Sequence, residues 1–285
     1  LDKFTYPNSA YAVTTFSAQD FPQPPARAYH IRGKKIKVPT NYITREELNR
    51  SSPLTTTAKY TRNIATGVDA DAYQTWDGTF RGDKSTTIGG VNYEPIYCNN
   101  PAWVFYDILT NPDYGLGEHL EETDIDKFSL YQIARYCDEM VPNSVGGTEP
   151  RFVCNVYFQS RAEAFKVLTD LASTFRGMMY WIDGQVVGVQ DRPKEPVYTF
   201  TAGNVINGTF SYESTGQKAR VNQIVVGWND PEQMYKRDTL VVDDIDNITT
   251  SGRINSKSVV AFGCTSASQA ARVGKWHLLT DTLET

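Results

Sequence analysis

The spacing of apolar residues changes character at Asp191-Arg192-Pro193, and that change constrains the fold more than any other feature of the chain. Before it, apolar positions recur every three or four residues in several segments, the period of a helix with one buried face. After it they come in short β-branched and aromatic runs divided by Gly, Asn and Asp, the pattern of strands and turns. The chain therefore reads as α+β, with a domain boundary near residue 191.

Local signals place the elements. Asn100-Pro101 offers an N-cap and a preset first helical residue, and Asn111-Pro112 ends that helix. A second helix opens near Thr123 or Asp126, with Leu130, Ile133, Ala134, Cys137 and Met140 on one face. Ser160 and Glu163 fit a capping box, Phe165, Leu168, Ala172 and Phe175 form the stripe behind it, and Gly177 suits the residue after the helix. Met178 to Gln190 reads as a hairpin turned by Asp183-Gly184 in a type I′ turn. Strands are expected at 197–200, 208–213, 221–228, 239–243 and 257–262, then a helix from Ser266, with capping-box spacing to Gln269, through Trp276 and Leu279. Upstream, 26–40 has β character, Tyr29 and Ile31 alternating before Gly33-Lys34 and Ile36 and Val38 after it. From 41 to about 73 the pattern dissolves into Ser- and Thr-rich sequence, expected to be a mobile or functional arm. The expected organisation is a β segment over 1–43, a polar insertion over 44–75, an α+β domain over 76–190 and a β-rich domain ending in a helix over 191–285.

Composition excludes some classes. With 40% hydrophobic and 21% charged residues in 285, the chain can build a substantial core without disulfide staples. The net charge of −5 does not favour generic DNA binding. It is unevenly spread: residues 27–62 hold nine basic residues against Glu46 and Glu47, a local +7, which leaves −12 for the remainder. No apolar run approaches the ~18–20 residues of a membrane-spanning helix. The chain opens on Leu1, and Leu278 to Thr285 reads as helix in progress, so a piece of a longer polypeptide is expected.

The search for catalytic and metal motifs yields little. There is no GxSxG, HExxH, Walker loop or GxGxxG. Cys98, Cys137, Cys154 and Cys264 form no CxxC pair, and His30, His119 and His277 lie at no ligand spacing from them, so buried structural thiols are expected. Glu118-His119-Leu120-Glu121-Glu122 lacks a second His and reads as acidic helix entry. Asp243-Asp244-Ile245-Asp246 lacks the alternation of a calcium loop and reads as a solvated turn. Gly146-Gly147-Thr148-Glu149-Pro150 lacks the Lys-Ser/Thr of a phosphate cradle and reads as a loop entering a strand. The many Tyr and Phe rings are assigned to core or subunit interface. No catalytic, cofactor-binding or metal residues are assigned.

Particular strings go further. Trp76-Asp77-Gly78-Thr79-Phe80, NNPAWVFYDILTNPDYGLG (99–117), GGTEPRFVCN (146–155), Gln190-Asp191-Arg192-Pro193, AFGCTSASQAARVGKWHL (261–278) and RAYHIRGKKIKVPTNY (27–42) resemble the tail tip attachment protein J family of lambda-like siphophages, in that family's order. The resemblance implies a structural, non-enzymatic central hub at the tail tip, linking the tail tube to the host-attachment apparatus. It implies a homotrimeric ring that forms part of the DNA exit conduit, with β-barrel-like domains and an α/β insertion. It implies distal tail and tape-measure proteins as partners, phage DNA passing without specific binding, and a host receptor met through regions absent from this chain. The location implied is the virion, after synthesis in the bacterial cytoplasm. The stretch 44–73 departs from the family as an insertion, and the family's N-terminal hub portion and long C-terminal region are missing. The alternatives are a tail-associated cell-wall-degrading enzyme, which needs paired carboxylates or a Cys/His pair, and a carbohydrate-binding adhesin module, which needs exposed aromatic platforms.

Overall fold

A computed structural model of the chain describes residues 13–17, 19–23, 29, 31, 33–40, 42–43, 60–61, 76–81, 87–88, 91–92, 95–158, 162–211 and 220–283. The chain divides into two units, residues 1–32 and 33–285. In the first, the Asp20 and Phe21 N–H groups donate to the Ser17 carbonyl, and Tyr29 and Ile31 are exposed outside any strand. The β reading of 26–40 is met only in the second unit, where β1 (Lys35–Ile36) buries Ile36. Of the 44–75 insertion, the described residues are β3 (Tyr60–Thr61), parallel to β2 (Tyr42–Ile43); the rest lies outside them. β4 (Thr87–Ile88) and β5 (Val91–Asn92) form another short pair, and β6 (Ile96–Tyr97) runs antiparallel to β1.

The second unit holds two clusters of buried side chains. The first is built on α1 (Pro101–Thr110) and α2 (Lys127–Asp138). Asn100 caps α1 as expected, accepting from the Ala102 N–H, and the helix ends at Asn111 ahead of Pro112. The buried Asn100 also donates through Nδ2 to the Ala134 carbonyl at 2.8 Å and to Asp138 Oδ2 at 2.7 Å, tying the start of α1 to the end of α2. Asp126 caps α2 by accepting from the Phe128 and Ser129 N–H groups. Its stripe of Leu130, Ile133, Ala134 and Cys137 is buried as predicted, but Met140 is not on it. The helix stops at Asp138, and Met140 opens β7 (Met140–Pro142), paired with β8 (Thr148–Pro150).

The segment 76–80 supplies rings to this cluster. Trp76 stacks on Tyr131 at 4.8 Å and Phe80 on Tyr106 at 4.5 Å, while Trp103 meets Phe80 edge-on at 5.8 Å. Offset and edge-on contacts of this kind add about 0.5–1.5 kcal/mol per pair beyond area burial. Lys127 Nζ closes the site by donating to the Gly78 carbonyl at 2.6 Å.

Beyond this pair, α3 (Ala164–Thr174) departs from expectation. Ser160 lies outside the described residues, Glu163 stands at the cap without a side-chain cap bond, and Phe165 is exposed, so the buried face is Leu171, Ala172 and Phe175. Gly177 is not the left-handed residue after the helix; Arg176 is, at φ 56°. Glycine is needed at 177 because a Cβ there would fall 1.9 Å from the Phe175 ring. The hairpin of β9 (Gly177–Ile182) and β10 (Gln185–Gln190) forms as predicted, with Asp183 and Gly184 both at positive φ. Its inner face rests on α2, where a Cβ on Gly188 would stand 2.9 Å from Ile133 Cδ1.

The second cluster lies under a three-stranded sheet, β12 (Lys236–Asp243), β11 (Gln223–Asp230) and β13 (Ser256–Val260) in that order. β12 runs antiparallel and β13 parallel to β11. Ile224, Val226 and Val242 pack against α5 (Ala267–Leu283), and α4 (Ile245–Ser251) makes the crossover to β13. The strands expected at 221–228, 239–243 and 257–262 are thus present with shifted ends. Those at 197–200 and 208–213 are not: 197–200 and 209–211 are irregular, and 212–213 lie outside the described residues. The fold is mixed α+β, and among the described residues no sheet closes into a barrel.

Candidate functional site

The densest polar arrangement lies where the start of α5 meets the first cluster. Ser266 Oγ accepts from the Gln269 N–H at 3.3 Å, the first half of the expected capping box. The second half is diverted. Gln269 is buried, and its side chain grips the backbone of Val153, accepting from the N–H at 3.1 Å and donating to the carbonyl at 3.0 Å. One amide thereby satisfies both groups of a residue in no ladder.

Charged groups extend this junction. Arg272 pairs with Glu149 at 2.7 Å and donates to the Arg151 carbonyl at 2.9 Å, and Ser266 donates to the other Glu149 oxygen at 2.8 Å. Arg151 pairs with Glu139 at 2.8 Å and lies over the Tyr136 ring. Arg176 donates to the Arg272 carbonyl at 3.1 Å, its guanidinium about 5 Å from both the Phe152 and Trp276 rings. Burial pulls Arg176 down to about 10, still far above neutral pH, so it stays cationic. Trp276 Nε1 donates to Asp191 at 2.7 Å, Asn155 donates to Gly263 and Thr265 at 2.8 Å each, and the Ser144 and Ser268 hydroxyls meet at 2.6 Å.

The strings 146–155, 190–193 and 261–278 meet here, and 76–80 and 99–117 meet in the aromatic cluster. Nothing local in the sequence links them, and the one local signal at the junction, the Ser266 to Gln269 spacing, points to capping.

Several other residues singled out in the sequence serve structure. Glu121 and Asp124 cap the turn Glu122–Asp124, and Glu122 pairs with Lys37 at 2.7 Å. The run 243–246 is not a bare turn: Asp244 caps α4 by accepting from the Asn247 N–H. Gly146 and Gly147 turn the chain into β8, with Asn143 Oδ1 accepting from the Gly147 N–H. All four cysteines are free and buried. Burial pushes Cys154 up to about 12 and Cys264 to about 11, and raises Cys137 well above the usual thiol range, so these thiols are protonated and unreactive at neutral pH. Asp77 is lowered by hydrogen bonds from Thr79, Asp107 is raised by burial, and His277 is lowered by burial. Among the described residues no group of three or more His, Cys, Asp or Glu could hold a metal ion, and no helix is long and apolar enough to cross a membrane. The arrangement holds elements in register: the Ser266 hydroxyl and the Glu149 carboxylate are both tied into the contact between α5 and β8.

Rings assigned to core or interface divide sharply. Trp103, Phe105, Tyr106 and Phe152 are buried, whereas Tyr180, Trp181, Tyr198 and Phe200 are exposed.

Comparison with known proteins gives the class: a family model described as "Putative phage tail protein" matches residues 163–285, the stretch that contains α3, the hairpin, the sheet and α5. That description places the matched stretch among proteins of the phage tail. More particularly, the chain is 35% identical over 284 residues to tip attachment protein J of Escherichia phage SECphi27 and 31% identical over 283 residues to that of Escherichia phage SECphi4. Each match covers 99% of this chain but only 21% and 22% of the relatives, so the chain spans about a fifth of their length. The resemblance read from the strings is borne out.

Proposed function

We propose that the chain is part of the central hub at the tail tip, a homotrimer that joins the tail tube to the host-attachment apparatus and surrounds part of the DNA exit path. The observation that carries this reading is the match to tip attachment proteins along 99% of the chain. The junction around Gln269 and Arg272 supports it, because a hub under load needs layers that do not shear. Distal tail and tape-measure proteins would be its neighbours, and host contact would fall to other parts of the longer polypeptide. The organisation proposed is 1–43 as part of a β domain, 44–75 as an insertion, 76–190 as the α+β domain and 191–285 as the β-rich domain. The two separate buried clusters support the last division. The β-rich parts would complete barrel-like domains in the assembled ring. The role proposed is structural rather than enzymatic.

The test is antibody labelling of purified particles with serum raised against this chain. Label at the tail end away from the head, and particles without a functional tip when the gene is disrupted, are the expected results. Label on the head or along the whole tube contradicts the reading.

A further inference from the structure

Among the described residues two apolar surfaces stand exposed. The first is the outer face of the β9–β10 hairpin. Met178, Tyr180 and Ile182 alternate along β9, and their register partners Val189, Val187 and Gln185 share that face. Met178, Tyr180, Ile182 and Val189 are 38–62% exposed. β10's outer side is occupied, since the Asp126 N–H donates to the Val186 carbonyl and Ser129 accepts from the Gly188 N–H. β9 pairs only with β10 among the described residues, which leaves its other edge open. That edge reads GMMYWI, with none of the charges, prolines or bulges by which proteins block strand addition.

The second surface is the segment 193–211. It has the strand-forming sequence Val197-Tyr198-Thr199-Phe200, yet it enters no ladder. Asn204 folds it on itself, donating to the Thr199 carbonyl and accepting from the Thr201 N–H. Val197, Tyr198, Phe200 and Ile206 are 62–97% exposed. A strand without a sheet and an apolar sheet edge without a strand thus occur in one chain.

We propose that segment 193–211 of one copy docks on the β9 edge and outer hairpin face of the next copy. This names the contact surfaces of the ring and rests on the oligomeric reading above. Only a few residues separate β10 from Val197, so docking within one chain is within reach. The chain does not adopt it; both surfaces stay exposed, which leaves the site for a second copy. Size agrees as well. Aromatic side chains bury ~150–250 Å² each, so Tyr198 and Phe200 with Val197 and Ile206 would supply a large part of the ~800 Å² per partner of a stable interface. Because every copy carries both the strand and its receptor, the contact is head-to-tail and closes into a ring when the rotation permits. Backbone ladder bonds supply affinity and the alternating side chains supply register.

Cross-linking in purified particles tests the assignment. Particles carrying Tyr180→Cys with Tyr198→Cys are treated with a short bis-maleimide; the native thiols are buried and do not compete. The pair Met178→Cys with Val197→Cys guards against one pair failing to assemble. The expected result is a shift of the monomer band to dimer and trimer that requires both cysteines. Cross-links within one chain only, to a different tail protein only, or none at all overturn the proposal. Hydroxyl-radical footprinting of unmodified particles adds a readout without substitutions: Tyr180 and Tyr198 should both be protected relative to the isolated chain, and free reaction at either overturns it. Amine cross-linking of unmodified particles separates the two readings. Multimers there without the cysteine-dependent bands sink only this assignment, whereas no multimers of this chain in either experiment sink the homotrimer too.

Discussion

Gln269 holds Val153 through two hydrogen bonds in a buried site, and its loss is expected to be disproportionate to its size. Gln269→Met keeps the volume but leaves the Val153 N–H and carbonyl unpaired, at a cost of about 2–4 kcal/mol. Urea unfolding measures this; a change below about 0.5 kcal/mol, the scale of ordinary surface substitutions, would falsify the role given to the amide. The thiols give a pH prediction. Cys154 and Cys264 titrate near 12 and 11 in the folded chain against an ordinary 9.0. Below pH 9 both states are protonated and this contribution is fully present. As pH rises past 9 the unfolded thiols ionise first, so stability falls until the folded values are passed. Cys154→Ala with Cys264→Ala should therefore be less stable at neutral pH but show a shallower loss between about pH 9 and 10.5. An unchanged slope would show that these thiols are not held back by burial.

At the scale of elements, the packing of α5 on its sheet depends on Gly274. A Cβ there would lie 2.7 Å from Val242 Cγ2 and 3.0 Å from Val226 Cγ2. Alanine gains roughly 1 kcal/mol of helix propensity over glycine, but overpacking typically costs about 1–3 kcal/mol. Gly274→Ala is expected to be net destabilising, and a raised melting temperature would refute the close approach. The Gly188 contact on α2 follows the same logic, with Ile133 and Leu130 as the facing side chains. Element starts and turns are readable because their causes are local: Asn100 and Asp126 accept from backbone N–H groups two residues on, and Asp183-Gly184 turns a hairpin whose strands are adjacent in sequence. The α3 stripe was misread at Phe165 because a 3.6-residue period fits more than one set of positions. What lies across from the helix decides which set is buried, and Phe175 is met by Phe105.

For the whole molecule, charge bears on the proposed conduit. Residues 27–62 carry +7 and the remainder −12, and a pore that lets DNA slide should not gather phosphate contacts. The chain is expected to show no saturable binding of a fluorescent DNA duplex by anisotropy at ~0.15 M salt. Micromolar binding, or a full-length hub with the 27–62 cations lining a DNA-width pore, would sink this reading. The amino-acid order was enough for the α+β class, the main helices, the hairpin and the tail-protein resemblance, since each rests on neighbouring residues or contiguous strings. The junction was not legible in it. Val153 and Gln269, or Asp191 and Trp276, are far apart in sequence, and no local period encodes which distant backbone a buried amide will grip. The fate of 197–200 was illegible for the same reason. Its β-branched and aromatic residues have strand propensity, but a strand exists only when another edge pairs with it, and none within the described chain does.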